Sequence, residues 1–240
     1  MIWTIYRREM ARYFTSLIPY IVAAAFLFLT GISYYSDLTL SVTLRSTNPS
    51  AVPTFLALAL VFFAPMITMR ALAEEKREGT MELMLTAPVT DTAIVLGKFL
   101  SAWTYYTLLL LVTLVYQYVL VFLRQQPDLG HASAAYLGIW LYGGAALAIG
   151  IMFSAMTENQ IVAAFLSSSV LIIFYLGTIV GEIVPSIELA NVLRVLSFQG
   201  HYSTTFAVGV IRLEDIVYFA GVIAFTLFIS TRAIEAQRMS

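Results

Sequence analysis

Few side chains in this sequence are of a type that does chemistry, and those few are scattered. His201 lies between two apolar segments, with no second His and no nearby carboxylate at ligand spacing. Metal sites gather three or four donors in one place, so a hydrogen-bonded or interfacial role suits His201 better than ligation. The chain has no Cys, which removes thiolate ligands and disulfides. Ser167, Ser168 and Ser169 with Tyr175, or Thr104, Thr107 and Thr113 with Gln117, could line a polar path. A hydroxyl in an apolar helix more commonly bonds its own backbone, however. Arg70, Lys98 and Glu182 fall near the ends of apolar runs, where long charged side chains can snorkel to the interface. No HExxH, GxSxG, Gly-rich phosphate loop or CxxC occurs. The sequence therefore predicts no catalytic residue, no cofactor-binding residue and no metal ligand, and no buried relay suited to proton-driven work.

The densest polar chemistry is the stretch EEKREGTMELMLTAPVT, Glu74 to Thr90, where five consecutive charged residues precede Met81, Leu83, Met84 and Leu85. Gly79 can break a preceding helix, Thr80 is a good N-cap, Glu82 in the first turn suits the helix dipole, and Pro88 stops the run. The punctuation predicts a helix of about two turns over 81–87. Its four large apolar residues cannot all face one way. Burying such a side chain is worth roughly 1.5–3 kcal/mol, enough for a docking knob in a protein groove with Glu74, Glu75, Lys76, Arg77 and Glu78 as its polar rim. These residues alone suit equally well a helix that rests on lipid.

The elements that position this loop are dictated by a bilayer. Of 240 residues, 60% are hydrophobic and 11% charged, and the mean hydropathy is +0.86, far from a soluble domain of this size. A formal charge of −1 gives no bulk attraction to nucleic acid, and none is expected as a partner. The opening MIWTIYRREMARYFTS has no small-residue cleavage site after a short apolar core, so the N-terminus is expected to be retained. A hydrocarbon core ~30 Å thick needs about 20 apolar residues in a helix. Six windows approach that length, at 17–35, 51–72, 92–123, 135–156, 161–183 and 216–231, the third long and the sixth short.

With the N-terminus inside, Arg7, Arg8, Arg12, Arg70, Lys76, Arg77, Lys98, Arg232 and Arg238 fall on the cytoplasmic side. Only Arg45, Arg124, Arg194 and Arg212 fall outside. This asymmetry predicts both termini in the cytoplasm and an even number of spans. Before the first span, Trp3, Tyr6, Met10, Tyr13, Phe14 and Leu17 share one helical arc opposite Thr4, Arg8, Arg12 and Thr15, the pattern of an interfacial helix over 1–16. Small residues four apart, Gly144 with Ala148, Gly150 with Ser154 and Gly177 with Gly181, are candidate helix-packing faces, within the chain or between protomers. Pro65 removes a backbone donor inside the second span and is a candidate kink or hinge. The outside segment 184–215 carries partial helical periodicity and is expected to fold back as short re-entrant or interfacial helices. The expectation is thus a single all-α domain over 1–240.

The run PMITMRALAEEKREGTMELMLTAPVTDTAIVLGKFL, Pro65 to Leu100, resembles the signature of permease subunits of type 2 ABC exporters (ABC-2), particularly the six-span gliding-motility-type branch. Glu74, Glu75, Gly79, Thr80, Glu82, Leu83, Pro88, Gly97 and Lys98 match that pattern position by position. A weaker similarity covers Leu196 to Phe219, with His201, Gly209, Val210, Ile211, Asp215, Tyr218 and Phe219 matching; the basic residue common before Gly-Val-Ile is Val208 here. The resemblance implies an N-terminal elbow helix, a cytoplasmic coupling helix at Thr80–Ala87 within the loop 74–90, and a bacterial or archaeal plasma membrane location. It implies a separate cytoplasmic ABC ATPase that binds ATP and Mg, and Glu74, Glu75, Gly79, Thr80, Glu82, Leu83, Met84 and Pro88 as its contact. It further implies a second permease protomer, membrane lipid around the pair, and an optional extracytoplasmic accessory protein. The alternative reading is a non-transporting membrane scaffold or signalling subunit that uses the same ATPase contact. The transported substrate is not specified by these residues.

Overall fold

The computed structural model describes residues 1–44, 48–81, 89–122, 128–184 and 186–238. Among them every regular element is a helix, and six stretches are long and apolar enough to cross a membrane: Leu17–Ser41, Ala51–Arg77, Asp91–Phe122, Leu129–Met156, Gln160–Gly181 and Leu213–Arg238. The chain is an all-α, multi-pass integral membrane protein. The sixth span is not short. Its 26 residues continue through Glu214, Asp215, Arg232 and Glu235, charges that shortened the apolar window but can sit at helix ends. The third, 32 residues long, is interrupted at Leu114, between Asp91–Thr113 and Val115–Phe122. There the Thr113 hydroxyl donates to Leu110 O, and Tyr136 OH donates to Thr113 O.

The second and fourth spans form the centre, with 67% and 78% of their apolar windows buried, against 17% for the first, 22% for the fifth and 28% for the sixth. Glycine allows the fourth span to be that hub, because in lipid close backbone approach, not hydrophobicity, drives helix association. A Cβ at Gly150 would stand 2.0 Å from Thr68 Oγ1, and one at Gly143 would stand 2.3 Å from the Tyr106 ring. At Gly144 it would reach Trp103 at 3.0 Å, where Trp103 stacks on Trp140.

Two ends can be distinguished. At the first, the helix Ile2–Thr15 packs beside the start of the third span, and Arg238, near the end of the sixth, reaches Asp91 at 3.2 Å. Both chain termini therefore lie at one end of the bundle. At the far end the chain folds back after the fifth span as Ile187–Leu196, Phe198–Ser203 and the 3₁₀ turn Phe206–Val208. Gly177 and Gly181 take the first of these helices: a Cβ there would meet Leu193 O at 2.8 Å and Ala190 O at 3.1 Å. Gly209, at φ 84°, turns the chain towards the sixth span beside His131, which meets Ala207 O.

The aromatic arc of the N-terminal helix is divided. Trp3 and Phe14 are exposed, whereas Tyr6 OH donates to Thr104 and Tyr13 OH donates to Ile67 O. The face turned into the protein is formed by Ile5 and Glu9. Gly97 makes room for it, since a Cβ at that position would lie 2.7 Å from Ile5 Cγ2.

Candidate functional site

The second span does not run straight to the loop that follows it. The helix passes Pro65 and ends at Thr68, with Met69 N still bonded to Pro65 O; residues 69–72 form a turn, and Ala73–Arg77 resumes as a helix. The interruption thus falls one turn beyond the buried proline. A restarted helix exposes N–H groups that need acceptors, and Ser154 of the fourth span supplies one. Its Oγ accepts from Leu72 N and Ala73 N, both at 3.0 Å, and donates to Met69 O. Lys76 Nζ donates to Ala155 O. The short helix is therefore held on the end of the fourth span.

That helix points Glu75 into a buried cluster. Lys98 Nζ lies 2.9 Å from Glu75 Oε1 and 3.1 Å from Glu9 Oε1, and the lysine side chain is 1% exposed. Lys98 does not snorkel; it is enclosed between two carboxylates, each from a different element. Arg8 reaches the same two oxygens at 2.8 and 3.1 Å. Arg12 bridges Glu9, Glu74 and Glu75 at 3.2–3.5 Å, and Arg70 meets Glu74 at 3.3 Å. Burial alone would raise the Glu9 carboxyl, but Lys98, Arg8 and Arg12 outweigh it and hold its pKa below the ordinary carboxylate value. The cluster ties the N-terminal helix, the end of the second span and the start of the third into one unit. Glu75 Oε2 is buried without a hydrogen-bond partner among the described residues.

After Glu78 the chain turns at Gly79, φ 72°, the left-handed conformation that ends helices and that other residues adopt at a cost of roughly 1–2 kcal/mol. Among the described residues no atom lies within 4 Å of a Cβ built there, so the demand for Gly there is conformational. Thr80 and Met81 are helical; the Thr80 hydroxyl donates back to Glu75 O at 3.3 Å, and Met81 is turned inward, 4% exposed. Glu82, Leu83, Met84 and Pro88, and most of the helix expected over 81–87, lie outside the described residues. The chain re-enters at Val89, and Thr90 caps the third span by accepting from Ala93 N.

Of the residues singled out in the sequence, the structure brings Glu74, Glu75 and Lys98 together and sets Gly79 and Thr80 one turn away. Glu9, Arg8 and Arg12 complete the cluster and were missed as partners. A lone acid flanked by arginines at 8 and 12 on an otherwise apolar-aromatic helix was the available signal.

At the far end, His201 has a carboxylate after all: Nδ1 lies 2.6 Å from Asp215 Oδ1, Nε2 lies 2.9 Å from Val195 O, and the ring stacks on Tyr218 at 3.9 Å. Asp215 is 14 residues away, across the turn at Gly209, which hid it from a spacing search. Among the described residues no group of three or more His, Asp or Glu could hold a metal ion.

Comparison with known proteins bears on what such a bundle does. A family model described as "ABC-2 family transporter protein" matches residues 29–230. Similar curated proteins are the "Probable multidrug ABC transporter permease YbhS" of Escherichia coli K12 and of E. coli O157:H7. Each is 27% identical over 196 residues, covering 72% of this chain and 51% of the relative. The chain thus spans about half the length of the curated relatives it matches.

Proposed function

Because this chain belongs to the ABC-2 family of transporter proteins, we propose that it is the membrane-spanning permease subunit of an ATP-driven exporter, driven through the loop after the second span by a separate ABC ATPase. Under this reading the end bearing both termini faces the cytoplasm of a bacterial or archaeal cell, two protomers pair in the plasma membrane, and ATP and Mg belong to the ATPase. The observation that carries it is the buried Glu9–Lys98–Glu75 cluster. It sits at the root of the loop and joins three elements, so a push on the loop moves the ends of the second and third spans and the N-terminal helix together.

Gly79 and Thr80 start the coupling helix, Glu82, Leu83 and Met84 meet the ATPase groove, and Pro88 ends it. The turn at 69–72, one turn beyond Pro65, is the point about which the second span bends. On the Pro65–Leu100 run we assign the chain to the gliding-motility-type branch. The multidrug designation of the relatives suits small apolar cargo for a path between protomers.

The test is the double substitution Leu83→Asp, Met84→Asp in the full chain. It is expected to abolish co-purification of the ATPase and ATP-dependent flux in vesicles, with membrane insertion intact. Unchanged co-purification would overturn the coupling assignment. Intact ATPase binding and ATP-dependent conformational change with no flux would identify a scaffold or signalling subunit instead.

A further inference from the structure

Under the N-terminal helix the bundle leaves a cavity of about 170 Å³, walled on one side by the charged residues Glu9, Arg12, Arg70 and Glu74. The other side is apolar, from Ile18 and Val22 of the first span and Met66 and Ile67 of the second. Its floor is firmly built. Tyr13 and Tyr105 stack at 4.6 Å, Tyr105 OH donates to Pro19 O at 2.6 Å, and Tyr13 OH donates to Ile67 O at 3.3 Å.

We propose that this cavity binds the headgroup of a bilayer phospholipid whose head is a zwitterion with a free ammonium, as in phosphatidylethanolamine. Size sets the first limit. The volume exceeds that of several waters, at about 30 Å³ each, but falls below the ~300–1,000 Å³ of drug-sized pockets. A headgroup fits. Position sets the second. The apolar wall comes from the first turns of one span and the last turn of another, and Met66 there is 41% exposed, so acyl chains leave the cavity directly along the lipid-facing surface.

Charge sets the third limit. Two guanidiniums and two carboxylates face the cavity. Glu9 is already held by Lys98 and Arg8, so a purely anionic head meets Glu74 unfavourably, and a purely cationic one meets Arg12 and Arg70. A head carrying both signs satisfies the wall, its phosphate against the arginines and its ammonium towards Glu74. Donors remain for the phosphate. A guanidinium has five N–H groups, and Arg70 commits Nε to Gln160 and Nη2 to Glu74. Arg12 and Arg70 are 43% and 36% exposed, open enough to accept a ligand and partly shielded from water. Choline, which lacks N–H donors, and glycerol, which lacks the cation, make the natural comparison.

The experiment is native mass spectrometry of the full chain released from nanodiscs of equimolar phosphatidylethanolamine, phosphatidylcholine and phosphatidylglycerol, with free phosphoethanolamine as a separate arm. Expected is one tightly retained phosphatidylethanolamine per chain, preferred at least about tenfold (~1.4 kcal/mol) over either competitor. Free phosphoethanolamine should be retained far less. Arg70→Gln should remove the preference. Met66→Trp, which blocks the mouth without touching a charge, should remove retention in a chain that unfolds at the parental temperature. Equal retention of the three lipids, preference for phosphatidylglycerol, or unaltered retention in Met66→Trp would overturn the proposal.

Discussion

At the end of the bundle that carries both termini, Lys98 is closed in by Glu9 and Glu75, with Arg8 and Arg12 completing the cage. At the far end a single imidazole, His201, spans Val195 O and Asp215. Both devices fasten a short non-spanning helix to the start of a span: the N-terminal helix to the third, and the folded-back segment to the sixth. They differ in how much is lost when one member is removed. In the first, a lysine answers two carboxylates from separate elements, so its removal leaves both acids to the half-exposed Arg8 and Arg12 alone. In the second, one carboxylate loses one donor, while the backbone turn at Gly209 and the aromatic packing of Phe198, Tyr202 and Phe206 remain.

The largest effect should therefore follow Lys98→Met. Removing one partner from a buried ionic cluster typically costs about 3–5 kcal/mol. The unfolding midpoint of the detergent-purified chain should fall accordingly. Neutralising the acids as well, in Glu9→Gln, Glu75→Gln, Lys98→Met, should restore most of it, because neutral side chains of similar volume carry a far smaller desolvation penalty than charges. A silent Lys98→Met would show that Arg8 and Arg12, with the packing of Ile5 against Gly97, hold the three elements without the lysine.

The far end should respond less and more locally. His201→Ala leaves Asp215, 5% exposed, without the donor on Oδ1, a loss of about 1–3 kcal/mol for a buried polar group left unsatisfied. Amide hydrogen exchange should quicken over residues 187–212 and stay unchanged over 2–15. Exchange rising equally at both ends would mean that the two fastenings are one cooperative unit, and the contrast drawn between them would fail.

How much of each end the sequence disclosed follows from the range of the forces involved. The bilayer demand is local: it needs about 20 apolar residues in a row, so all six spans were visible, the third and fifth nearly at their lengths and the others without the more polar turns at their ends. The Gly79 turn is local too, being a property of one residue's φ. The pairings are not. Glu9 and Lys98 are 89 positions apart, and nothing in the composition of either segment selects the other. Lys98 therefore looked like a lysine at a helix end, free to snorkel. Ser154 was placed on a small-residue face with Gly150, whereas its hydroxyl caps the helix Ala73–Arg77. Pro65 removes a donor from the interior of the second span, and the helix break follows one turn later at 69–72, where Ser154 offers the acceptor that an interrupted helix needs.

Acid sharpens the comparison with the smallest perturbation, because it edits no side chain. Glu9 is held below its ordinary value of 4.5 despite burial, by Lys98, Arg8 and Arg12. A carboxyl whose native value is depressed contributes stability that is fully present above its unfolded value and disappears as pH falls through the native one. The N-terminal helix should thus stay protected from exchange through neutral pH and down to about 4.5, then loosen below it as Glu9 takes up a proton and Lys98 loses one of its two partners. In Glu9→Gln the helix should already be loosened at neutral pH, and its residual acid sensitivity should be smaller. Acid loosening that is identical in parent and Glu9→Gln would assign the effect to another carboxylate of the cluster, and would leave Glu9 as a packing residue rather than the charge that fastens this helix to the third span.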